Sequence, residues 1–302
     1  MTSVKARQAL ARNFIFVFLQ AGQGEIGMIK DMVVNLGLGA NDPASDFAIS
    51  VADAFEAHVL GLAFVYDPVI PGSVMGGIPP EFIESQRRES EKKVQQAIAR
   101  FEQAAKRVGV AYETRTLNAS IAGAADRLGH LARRFDLAIV GQPERERAAA
   151  AEVVDEGVLF DSGRPVIFVP YIQKSGLKLD RVMLCWDGSR AATRAINDAM
   201  PFLEKAKQVE LVIVSSKAGK ANELTGADMG QHLARHGLKV EVKRITSPDI
   251  DVTSTILSYA ADSSADMIVM GGYGHSRLRE FILGGVTRGL LETMTVPTLM
   301  SH

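Results

Sequence analysis

Asp266-Met267-Ile268-Val269-Met270-Gly271-Gly272-Tyr273-Gly274 opens on an acid, runs through four apolar residues and ends in glycines. After nine further residues, Gly284-Gly285-Val286-Thr287 begins a second segment. An unbroken apolar run is what a strand covered on both faces requires, and glycines behind it suit a strand-to-helix turn. Glycines 271, 274 and 284 would let backbone N–H groups close on an anion with no Cβ in the way, and a helix opening near Val286 would aim its positive end at the same point. Thr295-Val296-Pro297-Thr298-Leu299-Met300 follows as a β-prone edge strand. Two readings stay open, a phosphate cradle and a glycine-rich turn that binds nothing.

Earlier in the chain the pattern recurs as Asp136-Leu137-Ala138-Ile139-Val140-Gly141. Working outward from the two copies exposes an internal repeat. The first strands are 32–36 and 182–186, followed by Ala-rich amphipathic helices at 44–56 and 190–204. Second strands at 59–65 and 209–214 lead to helices 80–108 and 223–236, then to third strands 110–117 and 238–245. Each half closes on a Pro-containing strand, Arg164–Pro170 or Val296–Met300. Strands alternating with helices predict right-handed crossovers and parallel sheets. The expected fold is therefore α/β, two tandem doubly wound five-stranded parallel-sheet domains at 28–171 and 180–302, joined through Ile172–Leu179.

Composition narrows the function. The chain has 302 residues, 47% of them apolar, and a formal net charge of −1. Its Lys and Arg are scattered among acids, so no electrostatic footprint for nucleic acid is expected. The lone cysteine, Cys185, excludes an internal disulfide and fits a reducing cytoplasm, the expected location. His232 and His236 share a helix face, as in some zinc sites, but the zinc-protease glutamate is missing and solvated histidines are the expectation. Lys5, Arg7 and Arg12 precede Phe14–Leu19, an apolar run too short to span a membrane and without a well-formed cleavage site. Residues 1–27 are read as an extension, either a docking segment or the product of an upstream start codon. The Pro- and Gly-rich insert Tyr66–Pro80 is expected to be a surface loop, with a lid or partner surface as the alternative.

In open parallel sheets a ligand sits beyond the carboxyl ends of the strands where strand order reverses. The turns after the first and fourth strands carry Asp187-Gly188-Ser189 and Gly271–Gly274 in the second half, against Gly37-Leu38-Gly39 and Gly141-Gln142-Pro143-Glu144 in the first.

With these residues in place, the chain resembles the tandem universal stress protein family along both halves. ATP-binding members of that family show glycine, two residues, glycine, nine residues, then glycine followed by Ser or Thr, here Gly271, Gly274 and Gly284. The resemblance implies an adenine nucleotide alpha-hydrolase-like fold and a site for ATP with magnesium. It implies that Asp187 and the backbone at Cys185 and Trp186 lie against the nucleoside and that Val214 meets the adenine. The phosphates would fall to the glycine loop through Gly285, Val286 and Thr287, and His275 holds a place that is often basic. Gly285 departs from the pattern where a hydroxyl residue is usual, which removes a contact worth about 1–3 kcal/mol. Thr287 is the alternative hydroxyl. In the first half Gly37 replaces the acid and Gln142-Pro143-Glu144-Arg145-Glu146-Arg147 replaces the glycines, so no nucleotide is expected there in this mode.

No catalytic set stands out. The chain lacks a Walker motif, and Ser189 has no partners near it in sequence that would make a hydrolase triad. Asp187 is expected either to hold a metal indirectly or to cap the following helix. Trp186 and Tyr273 are expected to be ordinary packing residues at strand ends, with stacking on a base as the alternative. The expected function is a stress-response protein that binds ATP or a related adenine nucleotide and acts as a binding switch on an unidentified protein partner. A scaffold with an empty loop and a slow ATPase using Asp187 and His275 are the alternatives. The closing strands, 165–169 and 296–300, offer free edges through which a homodimer is expected.

Overall fold

A computed structural model describes residues 28–67, 80–142, 154, 157–215, 223–246, 251–272 and 285–302. The N-terminal extension and residues 68–79 of the insert lie outside the described residues. The first half contains β1 (Asp31–Asn35), α1 (Pro43–Phe55), β2 (His58–Tyr66), α2 (Pro80–Val108), β3 (Tyr112–Ala119), α3 (Ile121–Ala132), β4 (Leu137–Gly141) and β5 (Val166–Val169). A helical stretch, 157–161, precedes β5. The second half contains β6 (Arg181–Cys185), α4 (Arg190–Asp198), α5 (Met200–Lys205), β7 (Gln208–Ser215), α6 (Glu223–Arg235), β8 (Val240–Thr246), α7 (Val252–Asp262), β9 (Met267–Gly271), α8 (Gly285–Thr293) and β10 (Thr298–Ser301). The single helix expected over 190–204 is two. Pro201 stands in the first turn of α5, and a proline inside one continuous helix would have left a carbonyl of the preceding turn without its donor.

The ten strands form one sheet in the order β3-β2-β1-β4-β5-β10-β9-β6-β7-β8. Each half repeats the same parallel arrangement, and the halves meet where β10 pairs with β5 antiparallel, Leu299 opposite Ile167. This pairing corrects the dimer expectation. Strands 165–169 and 296–300 spend their backbone groups on each other inside the chain, so neither offers a free edge. The free edges are β3 and β8, where exposed Glu113, Arg115, Glu241 and Arg244 discourage further pairing.

Burial follows from that sheet. One face is covered by α1, α2, α4, α5 and α6, whose core runs across the seam to bring Phe55 and Phe202 edge to face at 5.0 Å. The other is covered by α3, residues 157–161, α7 and α8. Gln142 stitches the halves together, its Nε2 donating to Leu291 O at 2.8 Å while its Oε1 accepts from Tyr171 N. Because the seam is antiparallel, the carboxyl ends of the two parallel sets point to opposite ends of the sheet. Each half therefore opens its crevice away from the other's. No helix among the described residues is long and apolar enough to cross a membrane.

Candidate functional site

In the second half the strand order reverses between β6 and β9, which pair side by side with Leu184 opposite Val269. The crevice beyond their carboxyl ends is the candidate site. Successive residues of a strand face opposite ways, and the structure separates two of the sequence candidates on that account. Cys185, Val214 and Val286 pack on the face of α7 and α8, whereas Trp186 packs on the face of α4 and α6. The ring of Trp186 is thus turned away from Val214 and takes the ordinary packing expected of it, and the stacking alternative is set aside. Its backbone N–H donates to Val212 O at 2.9 Å, and its Nε1 is buried without a hydrogen-bond partner among the described residues.

Asp187 is exposed at the mouth. Its Oδ1 accepts from Ser189 N at 2.9 Å across Gly188, which has φ +78°. Ser189, not Asp187, caps α4, its Oγ accepting from Ala192 N at 3.1 Å. The capping alternative for Asp187 is thus corrected, and Ser189 is committed to a cap. Burial pushes the Cys185 thiol up to about 12, with the charge of Asp187 adding to the effect. A thiol held neutral in this way is a wall, not a nucleophile.

Gly271 ends β9 with α4 lying directly over it. A Cβ there would stand 2.5 Å from Ala192 N and 2.7 Å from the Ala191 carbonyl carbon. At Gly272 a Cβ would meet Leu159 Cδ2 at 2.8 Å. The Gly272 N–H donates to Ser301 O at 2.8 Å, and its carbonyl lies 3.1 Å from His302 Nδ1. Gly271 and Gly272 therefore have packing reasons of their own. Gly285 opens α8 with free space where a Cβ would be, and Val286 is half-buried beside it. Thr287, in the first turn of α8, is 4% exposed and shares the packed side of the helix with Leu290. Gly274, His275 and Gly284, with Tyr273, lie outside the described residues.

The start of α7 carries contacts that the sequence analysis did not single out. Asp251 caps it through Thr253 N and Ser254 N, and Thr253 Oγ1 donates to Val286 O at 3.3 Å, fixing where α8 begins. The signal was legible as an acid followed two and three residues later by hydroxyl residues. His232 and His236 are exposed with rings 4.8 Å apart, and no group of three potential metal ligands occurs among the described residues.

The corresponding place in the first half is closed by the chain's own groups. Asp42 caps α1, its Oδ1 accepting from Ser45 N and its Oδ2 from Gly37 N at 2.8 Å, while Arg100 Nη2 donates to Gly39 O at 2.7 Å. Burial, only partly offset by those two N–H donors and by Arg100, raises the Asp42 carboxyl to about 6 from 3.8. A group whose folded value lies above its unfolded one stabilises most below the unfolded value, and that contribution is lost as pH rises through the folded value. Raising the pH from about 4 to 7 should therefore destabilise the parent relative to Asp42→Asn by on the order of 2 kcal/mol. Urea midpoints of both proteins at the two ends of this window test it, and parallel pH profiles would refute it.

Residues 178–302 match the family model of the Universal stress protein family. A universal stress protein of Synechocystis is 27% identical over 149 residues, 48% of this chain, and the match spans about half of that relative's length. A universal stress protein of Archaeoglobus fulgidus superposes with a TM-score of 0.69 at 18% identity, over 89% of this chain and 94% of that one. A functionally unknown protein of Pseudomonas aeruginosa superposes at 0.55 with 14% identity, over 90% and 92%. These structures establish the α/β fold.

Proposed function

We propose that the crevice beyond β6 and β9 binds an adenine nucleotide, ATP with magnesium, and works as a switch governing a protein partner, without rapid turnover. The observation that carries this reading is an exposed carboxylate, Asp187, with one oxygen unspent, at the mouth of a wall made by Cys185, Val214 and Val286. A purine favours an apolar slot, and ribose hydroxyls favour a carboxylate acceptor. Gly285 leaves the start of α8 open to phosphate oxygens. Magnesium neutralises phosphate charge when bound, and a site with one carboxylate suits an ion held mainly by phosphate oxygens and water. The family match over 178–302 adds support.

A scaffold with a purely structural loop is the second reading, favoured by the packing that accounts for Gly271 and Gly272. Calorimetric titration with ATP and magnesium separates the two. Saturable binding of one nucleotide per chain is expected, weakened about tenfold in Asp187→Ala. Absence of heat at millimolar ATP would leave the scaffold.

A further inference from the structure

The antiparallel seam carries residues of the first half to the rim of the second half's crevice. Val166 pairs with Met300, so Arg164 lies beside the end of β10, and Ser301 in turn pairs with Gly271. Two strand spacings, about 10 Å, separate the line of β5 from that of β9. The stretch before β5 closes the gap, with Leu159 against Gly272 and the Phe160 ring 4.8 Å from that of His302.

Arginines gather on the turn that follows. Arg133 Nε donates to Asp161 O at 2.8 Å, and Arg164 Nε to Arg133 O at 3.3 Å. Arg194 of the second half reaches Gly163 O at 2.6 Å, with Asp198 as its ion-pair partner. Arg133 and Arg164 are exposed and form no ion pair among the described residues. Their Nε groups are spent on carbonyls, which holds each guanidinium in place and leaves its two terminal nitrogens free to fork onto an oxyanion.

The fold does not demand these charges. Asp136 N donates to Asp31 O as Asp266 N does to Arg181 O, and Pro165 and Pro297 accept from Ala138 N and Ile268 N. In that alignment the counterparts of Arg133 and Arg164 are Ser263 and Val296. At these two positions, then, the cations stand opposite the crevice that has Asp187, whereas the places opposite the crevice that has Gly37 hold a serine and a valine.

We infer that Arg133 and Arg164 contact the outer phosphates of a ligand bound in the second half's crevice, making the site selective for polyphosphates over monophosphates. The inference rests on the nucleotide reading for the ligand's base but not for its charge. Parent and Arg133→Gln/Arg164→Gln proteins would be titrated with ATP, AMP and inorganic tripolyphosphate at low and physiological salt. ATP and tripolyphosphate should bind the variant about tenfold more weakly, AMP should be unaffected, and the difference should shrink with salt. Lysine at both positions should restore part of the loss, and the single variants serve if the double variant unfolds. Unchanged ATP affinity, or equal losses for ATP and AMP, would overturn the arginine contact and leave nucleotide binding standing. Tripolyphosphate binding that the variant loses, without any nucleotide binding, would keep the contact and remove the adenine. No binding of any of the three would remove both.

Discussion

Gly271→Ala should cost the protein about 3 kcal/mol or more, because the new methyl group meets backbone and not a side chain that can swing aside. The atoms it would strike, Ala192 N at 2.5 Å and the Ala191 carbonyl carbon at 2.7 Å, belong to the first turn of α4. That turn is held by the Ser189 cap below it and by buried Ala195 and Ile196 beyond it. Relief requires the helix to lift from β9, which opens the core beneath. Denaturant unfolding should show a lower midpoint, with loss of protection concentrated in amides of α4, β9 and β10. Gly285→Ala is the control, since a Cβ there meets open space and alanine favours a helix. Equal midpoints for Gly271→Ala and the parent would mean that α4 is far less constrained than its packing implies.

Arg181→Met should be nearly as damaging, for an electrostatic reason. Glu210 is 1% exposed in the middle of β7, and its Oε1 lies 2.6 Å from Arg181 Nη1. Tyr259 donates its hydroxyl to Oε2 at 3.0 Å, and burial together with that carboxylate pushes the phenol up to about 12. Removing the guanidinium strands a buried carboxylate among neutral donors, at a cost of about 3 kcal/mol. Adding Glu210→Leu should recover most of this loss, because an apolar pair of similar volume is often no worse than a buried ion pair. Urea midpoints of the two single variants and the double variant decide the matter. Additive losses would show that the pair is not coupled.

The repeat made the fold legible. Asp136–Gly141 and Asp266–Gly271 fall on β4 and β9, and the helix expected over 80–108 is α2. The seam was not legible, and Pro165 and Pro297 explain why. A proline beside a strand ordinarily marks an edge, since it cannot donate to a ladder. Here each proline stands just ahead of its strand and is used through its carbonyl, which accepts from Ala138 N or Ile268 N. The missing N–H costs nothing, and Val166–Val169 and Thr298–Ser301 remain free to pair.

At the site, Asp187 was singled out by its place in the turn after a first strand, whereas Cys185 and Val214 came from the family resemblance, and both stand near the carboxyl ends of their strands. Gly271 and Trp186 each left two readings open in the sequence. Glycine at a strand end suits both a phosphate and a close helix, and only the position of Ala191 and Ala192 decides between them. Trp186 could have been placed by counting one residue on from Cys185, because alternate residues of a strand face opposite ways.

In a pair of identical subunits related by a twofold axis, any substitution at the contact appears twice and must be tolerated in both copies. Joining the two halves in one chain lifts that restriction. Gln142 can lock onto Leu291 on one side of the seam while Gly272, its counterpart, accepts the pressure of Leu159 on the other. Covalent linkage also holds the partners at a high effective concentration however dilute the protein becomes. One side is then free to lose its own crevice and become a permanent wall for its neighbour's.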